Sequence, residues 1–108
     1  MSHFKKLKTF NPLPSNVTVK KSNIHGLGLF AKEKISSQTV LGIAHVKDDR
    51  FSHGYIRTPL GGFLNHSNKP NCEAVYFGDF IKIITLIDLT SGVEITVDYT
   101  KHDWIRLD

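Results

Sequence analysis

Gly61-Gly62-Phe63-Leu64-Asn65-His66-Ser67-Asn68-Lys69-Pro70-Asn71-Cys72 is the stretch on which the fold turns. It joins paired glycines to two apolar residues and then to a polar knot closed by proline. Asn, Ser and Pro all favour turns and self-capping, so the knot belongs to neither a strand nor a helix interior. Asn65 and His66 follow an apolar pair directly, where a strand leaves the core and presents side chains to a ligand. A second stretch, Glu94-Ile95-Thr96-Val97-Asp98-Tyr99, ends a predicted strand on a tyrosine. If the two ends meet, one pocket holds a phenol, an imidazole, a carboxamide and several free backbone groups.

Outward from these stretches the segments are short and β-rich. Val17-Thr18-Val19-Lys20 alternates and is β-branched, which predicts a strand. Ser22-Asn23 breaks it, and Gly26 and Gly28 then frame Leu27. Paired glycines let the backbone take positive φ and approach a bound molecule, although such a pair on its own is more often a plain turn than a cofactor loop. Without a third glycine and a following helix they are no dinucleotide site. Leu29-Phe30-Ala31, residues 39–46 and residues 55–58 read as further strands. Residues 74–77 and 80–87, joined by Gly78-Asp79, predict a tight hairpin. Ile81, Ile83, Ile84, Leu86 and Ile87 make its second arm apolar on both faces, as in a central strand. Residues 88–92 turn the chain back and residues 94–98 form the last strand. With no repeats and no helical period, the fold class is mostly β. A basic arm over residues 1–15 precedes a single domain over residues 16–108.

Composition narrows the function classes. A chain of 108 residues supports one core, and its 40% hydrophobic and 22% charged fractions are those of an ordinary globular domain. No apolar run reaches membrane-span length and no hydrophobic leader is visible, so an intracellular, cytoplasmic protein is expected. Cys72 stands alone, which excludes an intramolecular disulfide and a cysteine-rich zinc cluster and suits a reducing compartment. The six histidines, at positions 3, 25, 45, 53, 66 and 102, lack metal-ligand spacing, so no metal is expected. A net charge of +4 and a pI of about 9.3 favour acidic partners, nucleic acid among them but not foremost.

Three motifs carry a family resemblance. Phe63-Leu64-Asn65-His66-Ser67 with Pro70-Asn71-Cys72 resembles the asparagine-histidine-serine motif of SET-domain protein lysine methyltransferases. Glu94 to Tyr99 is similar to that family's closing segment, and His25-Gly26-Leu27-Gly28-Leu29-Phe30-Ala31 to its glycine-x-glycine motif. Their order and spacing span most of the chain, and the small size resembles stand-alone viral or bacterial forms. The resemblance implies the β-clip-like SET fold, with short strands in small sheets and a threaded C-terminal segment. It implies S-adenosyl-L-methionine as cofactor and a protein or peptide lysine as substrate, in the cytoplasm or, for a viral protein, the host nucleus. A homodimer that completes the groove would suit so small a chain.

The resemblance also implies roles. Gly26 and Leu27 lie against the cofactor, with Gly28 completing the turn. Asn65 grips its polar end, and His66, through backbone, its adenine edge. Tyr99 is the catalytic hydroxyl, which aligns the amine and contacts the transferring methyl, and Trp104 covers the cofactor or the channel mouth. Tyr55, Tyr76 and Val97 are candidates for the lysine channel. Val97 stands where the family often has another tyrosine, which leaves the number of methyl groups added open. Read from the residues alone, Tyr99 caps the core with its hydroxyl in water, and His66 is satisfied by neighbouring backbone. Trp104 equally fills a core, and Glu94 is structural.

Methyl transfer to lysine needs a neutral amine, alignment with the methyl–sulfur bond and exclusion of water. Removing the proton of a free lysine at pH 7 costs about 4–5 kcal/mol, roughly 3.4 pKa units at 1.36 kcal/mol each. A narrow apolar channel and a nearby sulfonium charge both push that pKa down, so no strong base is required. Two rival readings carry different chemistry: a SET-like module that binds without turnover, and a basic β-domain that holds nucleic acid through its N-terminal lysines and aromatics.

Overall fold

The computed structural model describes residues 13–51 and 54–101. Most of the predicted arm, and Trp104 with its neighbours, lie outside the described residues. The elements run β1 (Val17–Lys21), β2 (Leu27–Ala31), β3 (Val40–Lys47), β4 (Tyr55–Arg57), a one-turn helix α1 (Pro59–Gly62), β5 (Asn65–His66), β6 (Cys72–Phe77), β7 (Phe80–Thr85) and β8 (Thr96–Val97). A 3-10 turn follows at Tyr99–Lys101. The mostly-β expectation holds, in three small sheets: β1-β2, β4-β3-β7-β6 and β5-β8.

The β6–β7 hairpin forms as its sequence predicts. Gly78 at φ +60° supplies the left-handed residue of the turn, and Phe77 pairs with Phe80. β7 is central, flanked by β3 and β6. Its two faces are unequal, however. Ile81, Ile83 and Thr85 are fully buried, Lys82 and Ile84 only partly, and the strand ends before Ile87, which is exposed. An apolar residue on the outer face of β7 is therefore half-covered sheet surface, not a second core.

β1 and β2 pair antiparallel from Val17–Ala31 to Lys21–Leu27. Leu13, assigned from sequence to the arm, packs against the core, so the folded unit starts before residue 16. α1 begins at Thr58, whose hydroxyl accepts from the Gly61 N–H and donates to the Ile43 carbonyl at 2.6 Å, with Pro59 at the first helical position. Gly61 has no room for a side chain, since a Cβ there would strike the Ala44 carbonyl. The helix is thereby clamped on β3, and the chain leaving it is aimed at β5.

The closing segment differs from the single strand expected over residues 94–98. Val93 and Ile95 bond to β2 (Ala31 N to Val93 O, 2.9 Å; Ile95 N to Leu29 O, 2.8 Å). Thr96 and Val97 then pair in parallel with Asn65 and His66. Between them Asn71 acts as a surrogate strand: its Nδ2 donates to the Glu94 carbonyl (2.7 Å), and its Oδ1 accepts from the Thr96 N–H (2.9 Å). The segment thus lies between β2 and β5 and changes partner residue by residue. Its apolar side chains Ile95 and Val97 are fully buried beside Leu29, Leu60, Ile81, Ile83 and Leu89.

Candidate active site

Three separated parts of the chain meet in an open cleft of about 420 Å³, lined by His25, Gly26, Leu27, Arg57, Gly62, Phe63, Leu64, Asn65 and Tyr99. That size lies within the range of small-molecule sites. One wall is the β1–β2 bend, closed by a Ser22 N to Gly26 O bond of 2.8 Å, with Gly26 at φ +47°. The opposite wall is the run from α1 into β5. Tyr99 completes the site from the closing segment.

Tyr99 arrives by a local device. Asp98 caps the 3-10 turn, its Oδ1 accepting from the Thr100 N–H (2.9 Å) and hydroxyl (2.6 Å). The chain therefore leaves β8 and folds the phenol back, instead of ending the strand with the hydroxyl in water. The Tyr99 hydroxyl donates to the Leu64 carbonyl. Its backbone N–H donates to His66 Nδ1 (2.9 Å), and the two rings sit 5.4 Å apart. An Nδ1 that accepts a hydrogen bond carries no proton, so His66 is the Nε2–H tautomer. The 3.8 Å approach of Asp98 Oδ1 to that nitrogen is then not an ion pair. Burial pushes the Tyr99 hydroxyl above the ordinary tyrosine range, with the charge of Arg57 acting the other way. The group is a neutral phenol whose proton is committed to Leu64 and whose oxygen lone pairs remain available.

Asn65 is buried, and its Nδ2 faces the carbonyls of His25 (3.1 Å) and Leu27 (3.2 Å) and the Glu94 carboxylate (2.8 Å). Gly28 is not a turn residue, as the glycine pair suggested. It sits inside β2 opposite Lys20, at a φ outside the left-handed region. Its lack of a side chain makes room, because a Cβ would collide with the Glu94 carboxylate and come within 3.0 Å of Asn65 Nδ2.

The candidates divide accordingly. Gly26, Leu27, Asn65 and Tyr99 line the cleft, while Gly28 and His66 stand directly behind it. Val97 is not among the lining residues: it is fully buried in the core and pairs with His66 on β5. Tyr55 and Tyr76 are not brought to the cleft either. They lie on β4 and β6 and face each other at 6.5 Å, and Tyr76 is 56% exposed. Arg57, Phe63 and Leu64 line the cleft without having been assigned there. Phe63 and Leu64 adjoin the Asn-His motif and could have been found by proximity. Arg57 had no local signal, since its place depends on β4 pairing with β3. Among the described residues no carboxylate lines the cleft. Among the described residues no group of three His, Cys, Asp or Glu side chains could hold a metal ion, and no helix is long and apolar enough to cross a membrane.

Comparison with known proteins places this fold. The family model described as the SET domain matches residues 43–100, more than half of the chain. No curated protein matches the sequence. Two solved structures share the fold at a TM-score of 0.64. One is a Plasmodium falciparum protein described as a candidate histone methyltransferase, at 20% identity over 78% of this chain and 92% of that one. The other is the methyltransferase domain of human PR domain-containing protein 2, at 17% identity over 79% of this chain and 77% of that one.

Proposed function

The chain belongs to the SET-domain family, and from that premise we propose that it is a protein lysine methyltransferase that uses S-adenosyl-L-methionine. One observation carries the reading: Gly26-Leu27, Asn65 and Tyr99, drawn from three distant motifs, line one cleft. The cleft suits the cofactor in size and in its polar groups. Gly26, Leu27 and Asn65 would hold it, and Arg57 offers a positive charge for its carboxylate. When bound, the cofactor supplies an electrophilic methyl group on a sulfonium.

The chain's own part is positioning. Tyr99 has spent its proton on Leu64, so its oxygen can accept from a lysine amine and orient it. The described lining offers no carboxylate, and none is needed as a strong base, since the substrate amine loses its proton to water on entering an apolar site. Phe63, Leu64 and Leu27 provide that apolar surface.

The test is incubation with S-adenosylmethionine carrying a labelled methyl group and a cell lysate, with mass spectrometry of labelled lysines. Wild type should label protein lysines. Tyr99→Phe should bind cofactor as well as wild type but turn over about a hundredfold more slowly, the usual scale for losing one positioned polar group. Undiminished turnover by Tyr99→Phe would remove the hydroxyl from the mechanism. Absence of any labelled lysine with wild type would remove the activity.

A further inference from the structure

The closing segment brings one carboxylate, Glu94, to the back of the cleft without placing it among the lining groups. We propose that Glu94 is a positioning residue, whose carboxylate fixes the Asn65 amide so that the cleft is offered its carbonyl oxygen and not its NH2. The role rests on the methyl-transfer reading above.

Glu94 is held from two directions. Ser22 Oγ donates to its carboxylate, lying 2.8 Å from Oε1 and 2.9 Å from Oε2, and Asn65 Nδ2 donates to Oε2 at 2.8 Å. Ser22 Oγ also accepts from the N–H groups of Ile24 (2.8 Å) and His25 (3.3 Å). One carboxylate therefore ties the glycine bend to the amide across the cleft. The other neighbours of Nδ2 are the carbonyls of His25 and Leu27. With a carboxylate and two carbonyls around it, that atom must be the nitrogen, since an oxygen there would face three acceptors. Both amide hydrogens are absorbed internally, which leaves Oδ1 as the group Asn65 offers to the cleft it lines. A corner that only accepts hydrogen bonds suits an N–H-bearing group such as the ammonium at the amino-acid end of the cofactor. Gly28 serves the same arrangement, because a side chain there would drive the carboxylate off Asn65.

The experiment joins a measurement on the free protein to one on the complex. In 15N-labelled wild type the Asn65 side-chain NH2 should show slowed exchange with solvent. Glu94→Ala should speed that exchange and weaken S-adenosylmethionine binding by about 10- to 100-fold, the range for one hydrogen bond to a charged partner. Turnover at saturating cofactor should stay within a few-fold, so that KM moves and kcat does not. Glu94→Gln can still accept from Nδ2 and from the Ser22 hydroxyl through its amide oxygen, and should restore both the slow exchange and most of the affinity. Unchanged exchange or unchanged affinity in Glu94→Ala overturns the proposal, as does a Glu94→Gln protein as impaired as Glu94→Ala. Wild type that binds no S-adenosylmethionine overturns the methyl-transfer reading, and the positioning role with it, whatever the exchange data show.

Discussion

At the scale of single residues, two glycines one position apart are required for different reasons. Gly26 has open space around its missing Cβ but a φ of +47°, so Gly26→Ala should cost about 1 kcal/mol through backbone strain alone. Gly28 needs the space, and Gly28→Ala should cost about 1–3 kcal/mol as overpacking against Glu94 and Asn65. Urea denaturation of both variants checks the sizes, and cofactor titration should find Gly28→Ala the more damaged. The motif was legible in the sequence, but the division of labour was not, because the atom that excludes a side chain at Gly28 comes from residue 94. Asn65 and Tyr99 were legible for the opposite reason, each lying where an apolar run stops. Cys72 is settled at this scale too: burial pushes its thiol up to about 12. The folded protein should resist alkylation by iodoacetamide at pH 8 and react fully once unfolded in urea.

At the scale of elements, local signals predicted local pairings and missed distant ones. The β6–β7 hairpin is encoded within its own residues, a turn pair between two runs that match. The closing segment is not, since its partners are β2, the Asn71 side chain and β5 in succession. Apolar alternation reports that residues 94–98 are extended and cannot report to what they bond. The 3-10 turn after β8 could have been read from Asp98, a good capping residue followed by Thr100. Asp98→Ala should remove the cap, at a cost of about 1 kcal/mol. It should lower turnover less than Tyr99→Phe does, since the phenol keeps its Leu64 partner while its turn loosens. Steady-state rates of the two variants side by side decide the order.

At the scale of the whole molecule, the titrations of Cys72 and Tyr99 add. Both are acids whose pKa is raised by burial in the fold. Above about pH 8.5, where an unfolded cysteine is half ionised, the unfolded chain holds fewer of these protons than the native one. Their contribution is therefore complete below that pH and is lost as pH rises towards the folded values. Urea midpoints should fall between pH 7.5 and pH 10.5, and Cys72→Ala should flatten part of the decline.

Fully buried Ile95 and Val97 lie on the same short segment that delivers Glu94 and Tyr99. Synthesis runs from the N-terminus, so the ribosome releases this segment only after every strand it must touch has emerged. A nascent chain halted before residue 94 would lack Ile95 and Val97 from its core and Tyr99 from its cleft, and would sit as an open, sticky intermediate in need of a chaperone. Competence to react and escape from quality control would then be reached in a single step.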